Sequence, residues 1–166
     1  MSHSTTKYET IIIRHKKENK KKCSLRGLEL KPGFTFYTYP NKELSSFEGC
    51  TLLTIDAPVL TDQDSNDTLL LIDGTWSYAA IMEKTIFQHS TIKKRSIPSN
   101  FVTAYPRKQT ACIDPARGLA SIEALYIAFL LVGKKNDSLF ENYYFGDAFI
   151  KKNAKALELL QRKGCK

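Results

Sequence analysis

The sequence predicts an α/β fold with a mostly parallel sheet flanked by helices, and two features of its apolar spacing lead to this prediction. Short apolar runs, such as residues 11–13 and 69–72, have the length and composition of buried strands. After Asp73-Gly74 the spacing becomes helical, and residues 119–132 are almost wholly apolar over the length of a buried helix. Strands that alternate with helices favour a parallel sheet, whose ligands collect at the carboxyl ends of the strands.

Five segments have strand-like composition, in the order 8–14, 34–39, 51–55, 69–72 and 100–104. In the second of them, aromatic residues alternate with threonine and the run stops at Pro40. The polar and acidic stretch 61–67 is predicted to be a loop.

Three helices are predicted from helical spacing and from signals at their ends. The first follows Gly74, where Trp76, Ala79 and Ala80 recur at helical intervals. The second covers 119–132 and ends at Gly133, a residue typical of helix C-termini. The third runs from about 147 to 162, with apolar residues on one face and lysines on the other.

Length and composition indicate one globular domain. The chain has 166 residues, 42% of them hydrophobic, which is enough for a hydrophobic core. We expect residues 8–166 to form the domain and residues 1–7 to be a flexible N-terminus. Apolar runs are too short to span a bilayer, and the polar N-terminus lacks the centre of a secretory signal. A cytoplasmic protein without a membrane partner is therefore expected.

The formal net charge of +8 is concentrated in short segments. Six basic residues and one acid, Glu18, occupy residues 14–22, and smaller clusters lie at 93–95 and 107–108. Such a field attracts polyanions, although a solvated, solubilising surface explains a single cluster equally well. The four cysteines include no C-x-x-C pair and are not spaced with histidines as zinc ligands are, so no metal is predicted.

Asp73 is the first candidate for chemistry. It directly follows an apolar strand, so its carboxylate is expected at the mouth of the sheet in a partly dry position. Gly74 allows a ligand to approach the backbone, and Trp76 can stack on a base or an adenine. The alternative is structural: Asp73 or Thr75 caps a helix and Trp76 packs in the core.

The second candidate is the glycine loop 117–118 that leads into the apolar helix. Ser121 and Glu123 lie in the first turn of this helix. The loop amides and carbonyls can hold a nucleoside, while capping alone also explains Glu123. The segment lacks the glycine patterns of dinucleotide and phosphate loops.

Together these motifs resemble the DTW-domain superfamily, which includes tRNA-uridine aminocarboxypropyltransferases and related small-subunit rRNA aminocarboxypropyltransferases. The resemblance spans roughly residues 11–162. It rests on four motifs in order: His15-Lys16-Lys17-Glu18, Asp73-Gly74-Thr75-Trp76, Tyr105-Pro106-Arg107 and Leu119-Ala120-Ser121-Ile122-Glu123-Ala124. The rRNA branch is echoed by Cys23-Ser24-Leu25, by residues 101–106 and by Phe145-Gly146-Asp147-Ala148-Phe149 with Asn153. The chain lacks the cysteine-rich segment of many DTW proteins, and its stretch 106–119 is longer than in the rRNA branch.

The resemblance implies a SPOUT-like fold with a C-terminal trefoil knot and S-adenosylmethionine as the cofactor. Asp73 and Trp76 are the implied catalytic residues, with Asp73 as a general base or proton-orienting carboxylate and Trp76 shaping the pocket. The residues implied to border the cofactor are Ser24, Ile72, Gly74, Phe101, Thr103, Leu119, Ala120 and Ser121.

The implied reaction transfers the 3-amino-3-carboxypropyl group to the imide nitrogen of a uridine or pseudouridine in tRNA or rRNA. The partner is then a structured RNA, and the enzyme is expected to be a monomer or weak dimer. A SPOUT methyltransferase and a non-enzymatic RNA-binding or ribosome-assembly protein are the alternatives. The predicted RNA contacts are Arg14, Lys16, Lys17, Lys20, Lys21, Lys22, Arg95, Arg107, Lys108 and Arg117.

Overall fold

The computed structural model describes residues 9–41, 47–88, 91–106 and 118–164. In these parts of the chain one sheet contains β1 (Thr10–His15), β2 (Phe34–Tyr39), β3 (Cys50–Leu53), β4 (Thr68–Asp73) and β5 (Lys93–Arg95). The strand order is β2-β1-β4-β3-β5, and each pairing of neighbours is parallel. The carboxyl ends of the strands therefore share one edge of the sheet.

The described ranges contain four α-helices. They are α1 (Trp76–Ile86), α2 (Ser121–Val132), α3 (Gly146–Lys152) and α4 (Ala154–Gly164), with short 3-10 helices at Leu28–Leu30 and Asp62–Asp64. Thr75 caps α1 by accepting a hydrogen bond from the Tyr78 amide, and Gly133 ends α2 with a φ of 76°. None of the helices in the described ranges combines the length and the apolar character needed to cross a membrane.

The alternation of side chains along β1 and β4 divides the core between the two faces of the sheet. Ile12 packs in the cluster that includes Leu125 of α2, whereas Ile13 packs in the cluster that includes Met82 of α1. A buried parallel sheet needs apolar residues on both faces, which is why β1 and β4 each contain an unbroken apolar run, residues 11–13 and 69–72.

Two predictions about secondary structure are wrong, one about the fifth strand and one about the C-terminal helix. Residues 100–104 are not a strand, and the fifth strand is instead the basic segment Lys93–Arg95. This edge strand is stabilised by ion pairs, because Lys93 and Arg95 both contact Asp64. Its charged residues lack the apolar pattern that marks a buried strand.

The predicted C-terminal helix is divided at Asn153, where α3 ends and α4 follows after one residue. The Asn153 side chain accepts a hydrogen bond from the Val102 amide (2.8 Å) and donates to the Val102 carbonyl (2.9 Å). The turn at Asn153 thus fixes the irregular segment 101–104 against the helices.

Candidate active site

A cleft of about 490 Å³ opens at the carboxyl edge of the sheet. Its walls come from the residues that follow β3, β4 and β5, from one side of α1 and from the beginning of α2. In parallel α/β sheets this edge is where loops meet and where ligands bind. The cleft therefore lies where the sequence predicted a ligand site.

Asp73, at the end of β4, is the centre of a buried polar network beside this cleft. The residue is 5% exposed. Oδ2 accepts hydrogen bonds from Arg14 Nε (3.2 Å) and Cys23 Sγ (3.1 Å), and Oδ1 accepts one from Ser121 Oγ (3.1 Å). Since Ser121 lines the cleft, its hydroxyl connects the buried carboxylate to the ligand space.

Arg14 belongs to this network and is not on the surface, where an RNA-binding role had been predicted for it. The residue is 5% exposed, and its Nη1 lies 2.8 Å from Glu29 Oε1. Its guanidinium carbon lies 4.7 Å from the centre of the Phe36 ring. Because it is buried and paired with two carboxylates, this guanidinium organises the site and is not available to bind phosphate.

Cys23 contributes a protonated thiol. Burial, and next the charge of Asp73, raise the pKa of Cys23 to about 12. Ligand atoms of Glu18, Cys23 and Asp73 lie within 4.8 Å of one another, which is a spacing that a metal ion can use. The Arg14 guanidinium already pairs with the same Asp73 oxygen that faces the Cys23 thiol, so this carboxylate already has a cationic partner.

A second buried carboxylate, Glu123, lies in the first turn of α2. It is fully buried and accepts hydrogen bonds from Thr103 Oγ1 (2.6 Å), the Tyr143 hydroxyl (3.1 Å) and the Ala104 amide (3.3 Å). Burial raises the pKa of Glu123, although these hydrogen bonds act in the opposite direction. Glu123 therefore joins segment 103–104 to the start of α2.

The residues predicted to border the cofactor fall into two groups. Five of the eight line the cleft: Ile72, Gly74, Phe101, Leu119 and Ser121. The other three have structural contacts. Ser24 Oγ accepts a hydrogen bond from the Ile122 amide (3.2 Å), Thr103 bonds Glu123, and Ala120 is buried in the core.

Several cleft residues were missed by the sequence analysis. They include residues 54–56 after β3, residues 97–99 after β5, and Ala79, Ala80 and Glu83 on α1. The first set lies at the end of the predicted strand 51–55, so the carboxyl-edge rule could have identified it. Residues 97–99 could not be found in this way, because β5 itself was not predicted.

The predicted RNA-binding residues differ in their surroundings. Five lysines are exposed on the loop after β1: Lys16, Lys17, Lys20, Lys21 and Lys22. Arg95 instead contacts Asp64 (3.4 Å), and its neighbour Lys94 contacts Glu83 (2.9 Å). Local acids therefore offset the charge of the 93–95 cluster.

Some predictions concern residues outside the described ranges. These are the N-terminus 1–7, the contacts expected of Arg107, Lys108 and Arg117, and the side chain of Trp76, whose backbone begins α1.

The fold and the site together define an α/β protein with a small-molecule cleft at the carboxyl edge of a parallel sheet, next to a buried carboxylate network. Among solved structures, the chain is similar to the SAM-dependent rRNA:acp-transferase Tsr3 from Vulcanisaeta distributa, with a TM-score of 0.67 and 26% sequence identity. The match covers 91% of this chain and 82% of that chain. No protein-family model and no curated protein matches the sequence.

This similarity supports an aminocarboxypropyltransferase-like fold, and the predicted α/β class with a parallel sheet flanked by helices is confirmed.

Proposed function

We propose that this protein is an RNA aminocarboxypropyltransferase that uses S-adenosylmethionine. Its acceptor is the imide nitrogen of a uridine or pseudouridine in a structured RNA, either rRNA or tRNA. One observation carries the proposal. Ser121, which donates a hydrogen bond to Asp73, lines a cleft at the carboxyl edge of the sheet, in a fold similar to that of a SAM-dependent rRNA:acp-transferase.

The residues of the cleft fit this cofactor. A volume of about 490 Å³ is in the range of small-ligand and cofactor sites. Ile72, Phe101 and Leu119 provide apolar walls for a nucleoside, and Asp56 at the cleft provides negative charge for a cationic ligand. When bound, S-adenosylmethionine would supply an electrophilic methylene carbon on its methionine arm and leave as methylthioadenosine.

The protein's part in the reaction is to orient the acceptor base and to remove its imide proton. Both oxygens of Asp73 already accept hydrogen bonds, and of their donors Ser121 faces the cleft. We propose that the Ser121 hydroxyl accepts the imide proton while it passes its own proton to Asp73 Oδ1. Asp73 then acts as a base through Ser121, and Arg14 holds the carboxylate in position.

The loop after β1 is proposed to bind the RNA. Its exposed lysines end at Lys22, and the next two residues, Cys23 and Ser24, contact Asp73 and the start of α2. Phosphates bound by this loop would therefore lie close to the reacting centre. The acceptor base is expected to be unpaired or extruded, because its imide edge is occupied in a duplex.

The finer topology and setting are proposals as well. We propose that the chain has a SPOUT-like topology with a C-terminal trefoil knot. We also propose that the enzyme is cytoplasmic and that it is a monomer or weak dimer. Sedimentation of the purified protein tests the oligomeric state, and a crystal structure with continuous density from 104 to 121 tests the knot.

The decisive experiment incubates the purified protein with S-adenosylmethionine and rRNA or tRNA from cells that lack it. Nucleoside mass spectrometry identifies the modified base, and chromatography identifies the released nucleoside. We expect methylthioadenosine and an aminocarboxypropyl-uridine or -pseudouridine. Release of adenosylhomocysteine with a methylated base would assign the protein to the methyltransferases instead.

Variants of the proton path separate chemistry from binding. Ser121→Ala and Asp73→Asn should lower the transfer rate by about 100-fold or more, while calorimetry still detects the cofactor. Asp137→Asn, an exposed acid outside the cleft, is the matched control and should retain full activity. Full activity of both site variants would refute the proposed roles of Asp73 and Ser121.

A further inference from the structure

Tyr144 is an aromatic side chain that the proposed reaction does not use. It is 91% exposed, although tyrosines usually cover apolar surface. Its ring and the Phe145 ring are nearly perpendicular, with the centroids 4.9 Å apart, so the neighbouring ring supports it through an edge-to-face contact. A supported, solvent-facing aromatic ring is the arrangement on which nucleic-acid bases stack.

The segment that carries Tyr144 packs against residues 27–31, which continue the basic loop. Lys31 Nζ lies 2.7 Å from both Glu141 Oε2 and the Ser138 carbonyl. A Cβ at Gly27 would lie 2.5 Å from Asn142, so the glycine allows the two segments to approach closely. Tyr144 is therefore held beside the loop that follows β1.

A chain of aromatic contacts connects Tyr144 to Lys22. Phe145 contacts Tyr105 edge-on at 5.7 Å, and the Tyr105 hydroxyl donates a hydrogen bond to the Lys22 carbonyl (3.0 Å). Lys22 and Arg26 are themselves exposed. The exposed ring is thus connected through Phe145 and Tyr105 to the backbone of Lys22, which directly precedes Cys23 of the site.

We propose that Tyr144 stacks on an unpaired base of the RNA substrate, while Lys22 and Arg26 bind the phosphates beside that base. The inference rests on the proposed function and adds a contact that favours single-stranded RNA next to the acceptor nucleotide. An aromatic ring can stack on any of the four bases, but only where that base is unpaired. Phosphate contacts form with single-stranded and double-stranded RNA alike.

Charge favours RNA over a protein partner here. On segments 22–31 and 138–145 the large apolar side chains that stand exposed are Tyr144 and Leu30, and the same segments carry the exposed Lys22 and Arg26. Protein–protein interfaces have cores depleted of charge and enriched in several aromatic or aliphatic anchors. A single stacked ring with flanking cations is instead the pattern of single-strand binding.

Fluorescence anisotropy with two labelled RNAs, a single-stranded 12-mer and a blunt-ended duplex of the same composition, tests this proposal. We expect Tyr144→Ala to weaken single-strand binding by about tenfold and duplex binding by less than about twofold. Tyr144→Phe keeps the ring and should bind like the wild type. Leu159→Ala, an exposed apolar residue on α4, is the control and should have no effect.

Equal single-strand affinities of Tyr144→Ala and wild type would overturn the inference and leave this surface to a protein partner. An equal loss on both RNAs would also overturn it, because it would point to phosphate contacts alone. Cofactor uptake by the wild type, measured by calorimetry, is the separate test of the proposed function. A wild type that stacks RNA but takes up no S-adenosylmethionine would refute the transferase and leave the Tyr144 contact in place.

Discussion

Arg14 and Asp73 form a buried ion pair between neighbouring strands, with Arg14 Nε 3.2 Å from Asp73 Oδ2. The two residues are paired in the parallel register of β1 and β4, at the ends of both strands. Each side chain is 6% exposed, so the pair is screened from solvent and connected instead to Cys23, Glu29 and Ser121. The charge that would otherwise suit phosphate binding is used to position the carboxylate.

Arg14→Gln should destabilise the protein by about 3–5 kcal/mol, because it leaves two carboxylates near each other with one buried and without its cation. Urea unfolding measures this loss. Arg162→Gln, which breaks the exposed pair with Glu158 on α4, is the control and should cost less than about 0.5 kcal/mol. Equal stabilities of the Arg14 variant and the wild type would show that the pair contributes nothing to folding.

Because of Glu123, the free energy of unfolding should decrease as pH rises. Its folded pKa is raised, so the folded protein retains the proton over a pH range in which the unfolded chain, with a pKa near 4.5, has lost it. Its contribution is therefore complete below about pH 4.5 and is lost as pH increases through the folded pKa. Urea unfolding of wild type and Glu123→Gln between pH 4 and 8 measures this. The stability difference, wild type minus variant, should decrease with pH, and a constant or increasing difference would contradict the assignment.

Cys23 should resist alkylation in the folded protein. With a pKa of about 12 against an ordinary value of 9.0, the thiolate fraction at pH 8 falls by roughly a thousandfold. Iodoacetamide labelling followed by peptide mass spectrometry should modify Cys23 only after unfolding in urea. Rapid labelling of the folded protein at this position would mean that the thiol is ionised and exposed.

The lysines after β1 should determine the salt dependence of RNA binding. Replacing Lys20, Lys21 and Lys22 with glutamine removes up to three phosphate contacts. The slope of log affinity against log salt should then become shallower by about two for single-stranded RNA. The matched control replaces three exposed lysines of α3 and α4, Lys151, Lys155 and Lys163, and should change the slope by less than about 0.5 if they lie outside the interface. Identical slopes for both triple variants would remove the loop from the RNA interface.

The contrast between β4 and β5 explains how far the fold could be predicted. β4 is predictable because a buried parallel strand must be apolar on both faces, which leaves a continuous run in the sequence. β5 consists of two lysines and an arginine, and its place in the sheet depends on Asp64 and Asp67. These acids lie more than 25 residues earlier, so no local pattern indicates the strand.

The sequence by itself determined the α/β class and most strand and helix positions, and it predicted Asp73 at the carboxyl end of a strand. Local periodicity and the rule that loops meet at the carboxyl edge are sufficient for these, whereas Ser121 as a neighbour of the cofactor was implied by the family resemblance. Tertiary structure alone decided that Arg14 is a buried partner of Asp73, that Thr103 bonds Glu123 and that Tyr144 stands exposed beside the basic loop. Burial and pairing arise from segments distant in sequence, and a residue's type does not specify which other segment will cover it.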